Sequence, residues 1–227
     1  MKVVMPHTLR RSFVSLVFFA FFVFQPAMAF DTELSDTAVR EGYFLGQRND
    51  DKTRVFFLPY TKHLPKPKRG PYISEIRLLT PLAQVVQVSS QTTSGYSAQQ
   101  AHLDYKGRGD SLLLVVHIEF TPTYGPIEAS HAASDASKTK GIVLRTDDFW
   151  QDFRYGMKQK ADWIEPRFIR GEGEYGSSDS FGNGSLVGAW VYVEYDSHNV
   201  TSDGVDVSIV TPTEDEVQTY FDLASLR

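Results

Sequence analysis

Val187-Gly188-Ala189-Trp190-Val191-Tyr192-Val193-Glu194-Tyr195-Asp196 is the stretch from which the fold class follows. In an extended chain Ala189, Val191, Val193 and Tyr195 point one way, and Trp190, Tyr192, Glu194 and Asp196 the other. Period-two alternation of β-branched and aromatic residues is the pattern of a half-buried strand. Residues 205–210 and 217–223 continue it at short spacing, which predicts a three-stranded antiparallel meander. The valine face is the expected core face. The Trp190–Tyr192 face is expected beneath a helix near Phe149 and Phe153; left bare, it would form an aromatic binding surface.

Outward from this stretch, residues 111–121 form the most apolar strand after the first 29 residues. Leu112, Leu114, Val116, Ile118 and Phe120 share one face, and Leu113 and Val115 on the other predict a central strand buried on both sides. Residues 73–80 read as a strand ending at Pro81, and Val85, Val86 and Val88 as the next one. Residues 142–144 and 163–169 add two more. Residues 123–140 read as a long polar loop, and 171–185 as a Gly/Ser-rich loop.

Helix signals are fewer. Ser35 is a candidate N-cap, with Ala38, Gly42 and Leu45 on one stripe behind it. Ser97 and Gln100 have capping-box spacing, and Ala98, Ala101, His102 and Tyr105 recur at i, i+3, i+4 and i+7 up to Gly107. Thr146 before Asp147 and Asp148, Phe149 and Phe153 at i, i+4, and Lys158 and Lys160 at the end predict a third helix. Residues 53–58 suit strand or helix until Pro59 stops either. The fold class expected is mainly β: a sandwich-like antiparallel body with a helical N-terminal segment and one or two short inserted helices.

The chain opens as an export signal does. Lys2, Arg10 and Arg11 precede an apolar run from Phe13 to Phe24, then Gln25-Pro26 and the small residues Ala27 and Ala29. This pattern predicts a signal peptide over residues 1–29, cleaved before Phe30. The run is short of the ~20 residues that span a bilayer, so no membrane span is expected after cleavage. Residues 30–60 are then an N-terminal helical segment and residues 61–71 a connector. That connector, TKHLPKPKRGP, carries three prolines and four basic residues, which suits an extended linker. Residues 72–227 form the sandwich-like domain.

Removing 29 of 227 residues takes away three of the 23 basic residues and none of the 28 acidic ones, leaving a charge of −8. That balance argues against nucleic acid or an anionic membrane as a partner. There is no cysteine, which excludes disulfides, thiolate metal sites and cysteine nucleophiles. An exported domain of this size without disulfides points to a bacterial envelope, periplasmic or extracellular.

Chemical motifs are weakly marked. Gly171, Gly173 and Gly176 spell G-x-G-x-x-G, but two glutamates intervene and a strand follows instead of a helix, so a dinucleotide site is not expected. Ser137 and Lys140 have Ser-x-x-Lys spacing in a polar loop, without the partner motifs such enzymes need. Arg108-Gly109-Asp110 reads as a turn. His117 and Glu119 share one strand face, but two ligands do not make a metal site, and His102, His131 and His198 are scattered. Asp196, Asp203 and Asp206, with Asp179 before them, flank the first meander turn as candidate calcium ligands. Asp and Asn also favour turns by bonding their own backbone, which accounts for them without a metal.

These features predict a non-catalytic exported protein that binds a protein or polymer of the envelope, with Trp190 and Tyr192 as the candidate surface and no cofactor. Two alternatives stand beside it. One is a secreted hydrolase pairing carboxylates such as Glu119, Glu165 or Glu194; the other is calcium-dependent adhesion.

Overall fold

The computed structural model describes residues 30–92, 94–125, 127–129, 142–176 and 184–227. The expected signal peptide, Ser137–Lys140, His131 and Asp179 lie outside the described residues. In chain order the elements are α1 (Asp36–Arg48), α2 (Asp51–Phe57), β1 (Thr61–His63), β2 (Pro71–Leu79), α3 (Pro81–Gln91) and α4 (Ala98–Arg108). There follow β3 (Ser111–Phe120), β4 (Ile127–Ala129), β5 (Ile142–Leu144), β6 (Arg154–Gln159), β7 (Asp162–Ile164) and β8 (Phe168–Tyr175). The last three are β9 (Leu186–Asp196), β10 (Val205–Val210) and β11 (Glu216–Phe221). No described helix is long and apolar enough to cross a membrane.

The molecule is mainly β, and among the described residues all strand pairs are antiparallel. One sheet has five strands in the order β1-β2-β3-β9-β8, a second has four in the order β11-β10-β6-β7, and β4 pairs with β5. The strand that opened the sequence reading, β9, is central: Ala189, Val191, Val193 and Tyr195 face Ile118, Val116, Leu114 and Leu112 of β3. All eight are buried, in one core with Met157, Val207, Ile209 and Phe221 of the four-stranded sheet. Burying these apolar faces between two sheets is the main stabilising contribution.

The meander is a correction. β9 pairs with β3 and β8, whereas β10 and β11 pair with each other and with β6. Adjacent strands in sequence are the usual pairing, but the eight residues between β9 and β10 carry the chain across the core to the other sheet. The helix expected after Thr146 is also overturned. A single 3₁₀ turn at Phe149–Asp152 precedes β6, whose Met157 and Gln159 are buried beside β10. Period two over Tyr155, Met157 and Gln159 outweighed the end charges.

The segment around Val85 and Val88 is helical, not extended. Thr80 caps α3 by accepting from the Ala83 N–H at 3.2 Å, and Pro81 fits the first turn, where no N–H is needed. Leu82, Val85, Val86 and Ser89 then lie buried at i, i+3, i+4 and i+7. Residues 53–58 likewise belong largely to a helix, capped by Asp50. Residues 163–169 are split at Pro166 between β7 and β8, which lie in different sheets. The Gly-rich residues 171–175 are strand rather than loop.

Both cap readings hold: Ser35 accepts from the Ala38 N–H and Ser97 from the Gln100 N–H. α1 presents Val39, Gly42 and Gly46 inward, one residue off the expected stripe, and packs on α3. Leu34, Val39, Leu82, Val85, Ala101 and Tyr105 form a second, helical core. Arg227 is tied to Tyr60 of the main core, whose hydroxyl donates to the Arg227 carbonyl at 2.9 Å and accepts from its N–H at 3.0 Å.

Candidate functional site

The core takes one face of the five-stranded sheet, and whatever chemistry the sheet offers lies on the other. Trp190 and Tyr192 project there, opposite His117 and Val115 of β3. Phe149 and Trp150 pack on the core side instead, Phe149 against Phe120 at 4.6 Å and Trp150 over Gly171. The expected cover for the aromatic face is therefore on the wrong side of the sheet. A helix does approach that face, but it is α3.

Between α3, α4 and the sheet lies a cleft of ≈ 670 Å³. Gln84, Gln87, Val88 and Gln91 of α3 and Asp104 and Arg108 of α4 form one wall. Leu113 and Val115 of β3, Tyr192 and Glu194 of β9, and Phe168 and Arg170 of β8 form the other. The walls are set firmly. Buried Gln84 donates to the Ser111 carbonyl at 2.7 Å, fixing α3 to the start of β3. Arg170 lies over the Tyr192 ring at 4.6 Å, a cation–π contact that holds both side chains at the cleft. A second hollow of ≈ 440 Å³ shares Gln87 and Gln91 and continues along the same face to Trp190, Arg77 and Glu75.

Beyond Trp190 the face becomes polar. The His117 ring stacks on Trp190 with centroids 3.9 Å apart and planes 3° from parallel, and Arg77 lies over the indole at 5.1 Å. A bulge in β2 leaves Ser74 unpaired in the ladder and turns its hydroxyl to His117 Nδ1 at 2.8 Å. Nε2 meets Glu174 of β8 at 2.7 Å, and Glu119 lies 3.7 Å from Nδ1. The Tyr72 hydroxyl donates to Glu119. That bond, helped by Ser74 and the nearby His117, holds the Glu119 carboxyl below its ordinary value against the opposing effect of burial. Burial, and then the same carboxylate, push the Tyr72 hydroxyl up to about 12.

With its proton on Nε2, His117 would donate to Glu174 and accept from Ser74, a hydroxyl–imidazole–carboxylate series. The surroundings oppose an oxyanion, because Glu119 and Glu174 flank the ring and Glu75 lies beside Ser74 in the chain. The arrangement is better suited to holding Trp190 in place.

The other candidate residues are dispersed. Glu194 lines the cleft opposite Leu113, six positions along β3 from Glu119, roughly 20 Å away at the rise of a strand. Glu165 is exposed between β7 and β8. Glu119 and Glu194 do not pair at the ~5–10 Å that glycoside hydrolysis requires. Asp196 sits 2.6 Å from Arg167, and Asp203 2.6 Å from Lys160. The His198 N–H, above all, holds Asp196 below its ordinary value, and Lys160 does so for Asp203. Asp206 stands on β10 opposite Lys158 of β6 and Tyr220 of β11. Among the described residues no group of three or more His, Asp or Glu side chains is placed to hold a metal ion.

Sequence reasoning missed Ser74, Glu174, the α3 glutamines, Phe168 and Arg170. One signal for them was present: Phe168, Arg170, Glu172 and Glu174 alternate, and as a strand they share the face of Trp190. Gln84, Gln87 and Gln91 share a face only if their segment is helical. Compared by sequence with models of known families and with curated proteins, the chain matches none.

Proposed function

We propose that this chain is an exported, non-catalytic binding protein of the bacterial envelope that holds its ligand in the cleft between α3, α4 and the outer face of the five-stranded sheet. The observation that carries the reading is the cleft. Its size falls in the ~300–1,000 Å³ range of ligand sites, and its walls combine Tyr192, Phe168 and Val115 with the carboxamides of Gln84, Gln87 and Gln91 and two arginines. Aromatic platforms beside amide and charged groups suit a polar segment of a polymer or protein. The N-terminal signal pattern supports export.

The test is retention from a solubilised envelope fraction on immobilised protein. The wild type is expected to retain a component that Gln87→Trp, filling the cleft from α3, and Tyr192→Ala both lose while keeping the wild-type circular dichroism spectrum. No retained component, or equal retention by all three, overturns the reading.

One observation favours a hydrolase instead, the Ser74–His117–Glu174 series. Labelling of Ser74 by a fluorophosphonate, abolished by His117→Ala, would establish it. An unlabelled Ser74 in folded protein removes it.

A further inference from the structure

We infer that the outer edge of β8 is a self-recognition surface, through which two copies of this chain join their five-stranded sheets antiparallel about a two-fold axis at Gly171. β8 ends the sheet, and among the described residues no strand pairs with its outer edge. Three large apolar side chains stand exposed on it: Phe168 at 56 %, Ile169 at 37 % and Tyr175 at 57 %. A long edge of this kind is a template for another strand.

Geometry restricts what can add there. Backbone N–H and C=O groups of alternate residues point to opposite edges of a strand, so residues facing across a new antiparallel ladder either both point outward or both point inward. For two copies of one strand, paired positions must therefore add to an even number, and the axis must pass through a residue. Charge then selects among the few axes allowed. An axis at Arg170 sets that arginine against itself, and one at Glu172 sets that glutamate against itself. With the axis at Gly173, Glu172 meets the partner's Glu174.

With the axis at Gly171, Arg170 faces the partner's Glu172 and Glu172 faces the partner's Arg170, both pairs on one face. In this register no like charges meet. Arg170 and Glu172 are 57 % and 65 % exposed, and pairing across the edge would compete only with their own long 3.9 Å contact and with the stacking of Arg170 on Tyr192. The same charges repel mismatched strands, which gives the edge its selectivity.

Among the described residues, the other edges of the two larger sheets do not share the property. β1 and β7 have three residues each, and β11 carries Glu216 without a cation. Because Phe168 and Arg170 also line the cleft, pairing here would bring two clefts to the same face of one continuous sheet.

Edge pairing buries less than the ~1,600 Å² of a standard interface, so the association is a weak one that concentration reveals. Sedimentation velocity on the full chain, up to about 0.2 mM, is expected to show a monomer–dimer equilibrium. Arg170→Glu places glutamate against glutamate twice and is expected to weaken it by about tenfold or more, as does Glu172→Arg with the opposite sign. An equimolar mixture of the two single variants restores complementarity and is expected to recover dimer, as is the double exchange R170E/E172R alone. Circular dichroism checks that each variant is folded. A wild type monomeric throughout, as an edge reserved for a different chain would give, overturns the proposal. So does a dimer indifferent to Arg170→Glu, or failure of the mixture to recover association.

Discussion

Tyr72 and Glu119 show how much a single hydrogen bond can determine locally. The carboxylate lies beside His117 on a half-exposed sheet face, and the tyrosine hydroxyl keeps it ionised to lower pH than an isolated glutamate. Its folded value being depressed, its contribution to stability is present above the ordinary carboxyl range and fades as pH falls through the folded value. Tyr72→Phe is expected to cost about 1 kcal/mol at neutral pH and to flatten the acid limb of stability against pH, measured by urea unfolding. At the other extreme, Tyr72 and Tyr96 are both raised to about 12 by burial and a neighbouring carboxylate. Between the ordinary tyrosine value and that one, only the unfolded chain loses these protons, so stability is expected to fall across that interval. Tyr72→Phe should lessen this fall too; an unchanged slope would contradict it.

At the scale of elements, the contact between α1 and α3 depends on two small residues one helical turn apart. A Cβ on Gly46 would stand 2.3 Å from the Val86 carbonyl oxygen, whereas one on Gly42 would meet the Leu82 and Val85 side chains at 2.9 and 3.1 Å. Backbone cannot give way as a side-chain methyl can. Gly46→Ala is therefore expected to destabilise by about 2 kcal/mol or more and Gly42→Ala by less, in chemical denaturation. α3 also shows why a cap matters: Thr80→Ala removes the bond to the Ala83 N–H and the one to the Arg227 carbonyl, and is expected to cost about 1–2 kcal/mol. The α3 segment reads locally as a strand because its valines are β-branched. Thr80 as N-cap and Pro81 at the first helical position are helix signals, but Pro81 directly after a strand equally suits a strand end.

For the whole molecule, the closing residues join what the sequence separates. Leu223 and Leu226 are buried in the main core, Tyr60 and Thr80 bond to the Arg227 carbonyl, and Arg227 reaches Glu41 of α1 at 3.0 Å. Deleting residues 223–227 should cost roughly 4 kcal/mol from the two leucines alone and loosen the helical layer. The main core includes Tyr60 and both sheets, so tryptophan fluorescence and far-ultraviolet circular dichroism are expected to report one coincident transition. Separate midpoints would mean that the helical layer unfolds on its own.

Strand periodicity, caps and polar breaks are local properties, and the chain by itself determined them: β3 and β9 as buried strands, the Ser35 and Ser97 caps, and the mainly β class all follow from residues a few positions apart. What only the tertiary structure decided is which strands are neighbours and what each outer face meets. β9 leaves its successors because the chain crosses the core after Asp196, and no short-range pattern encodes that crossing. The site shares this origin. His117 finds Ser74, Glu174 and Trp190 across 43, 57 and 73 positions of sequence, and the cleft exists only because α3 folds back over the face that β3, β9 and β8 expose. Burial drives both, and burial is a property of the assembled sheet rather than of any segment.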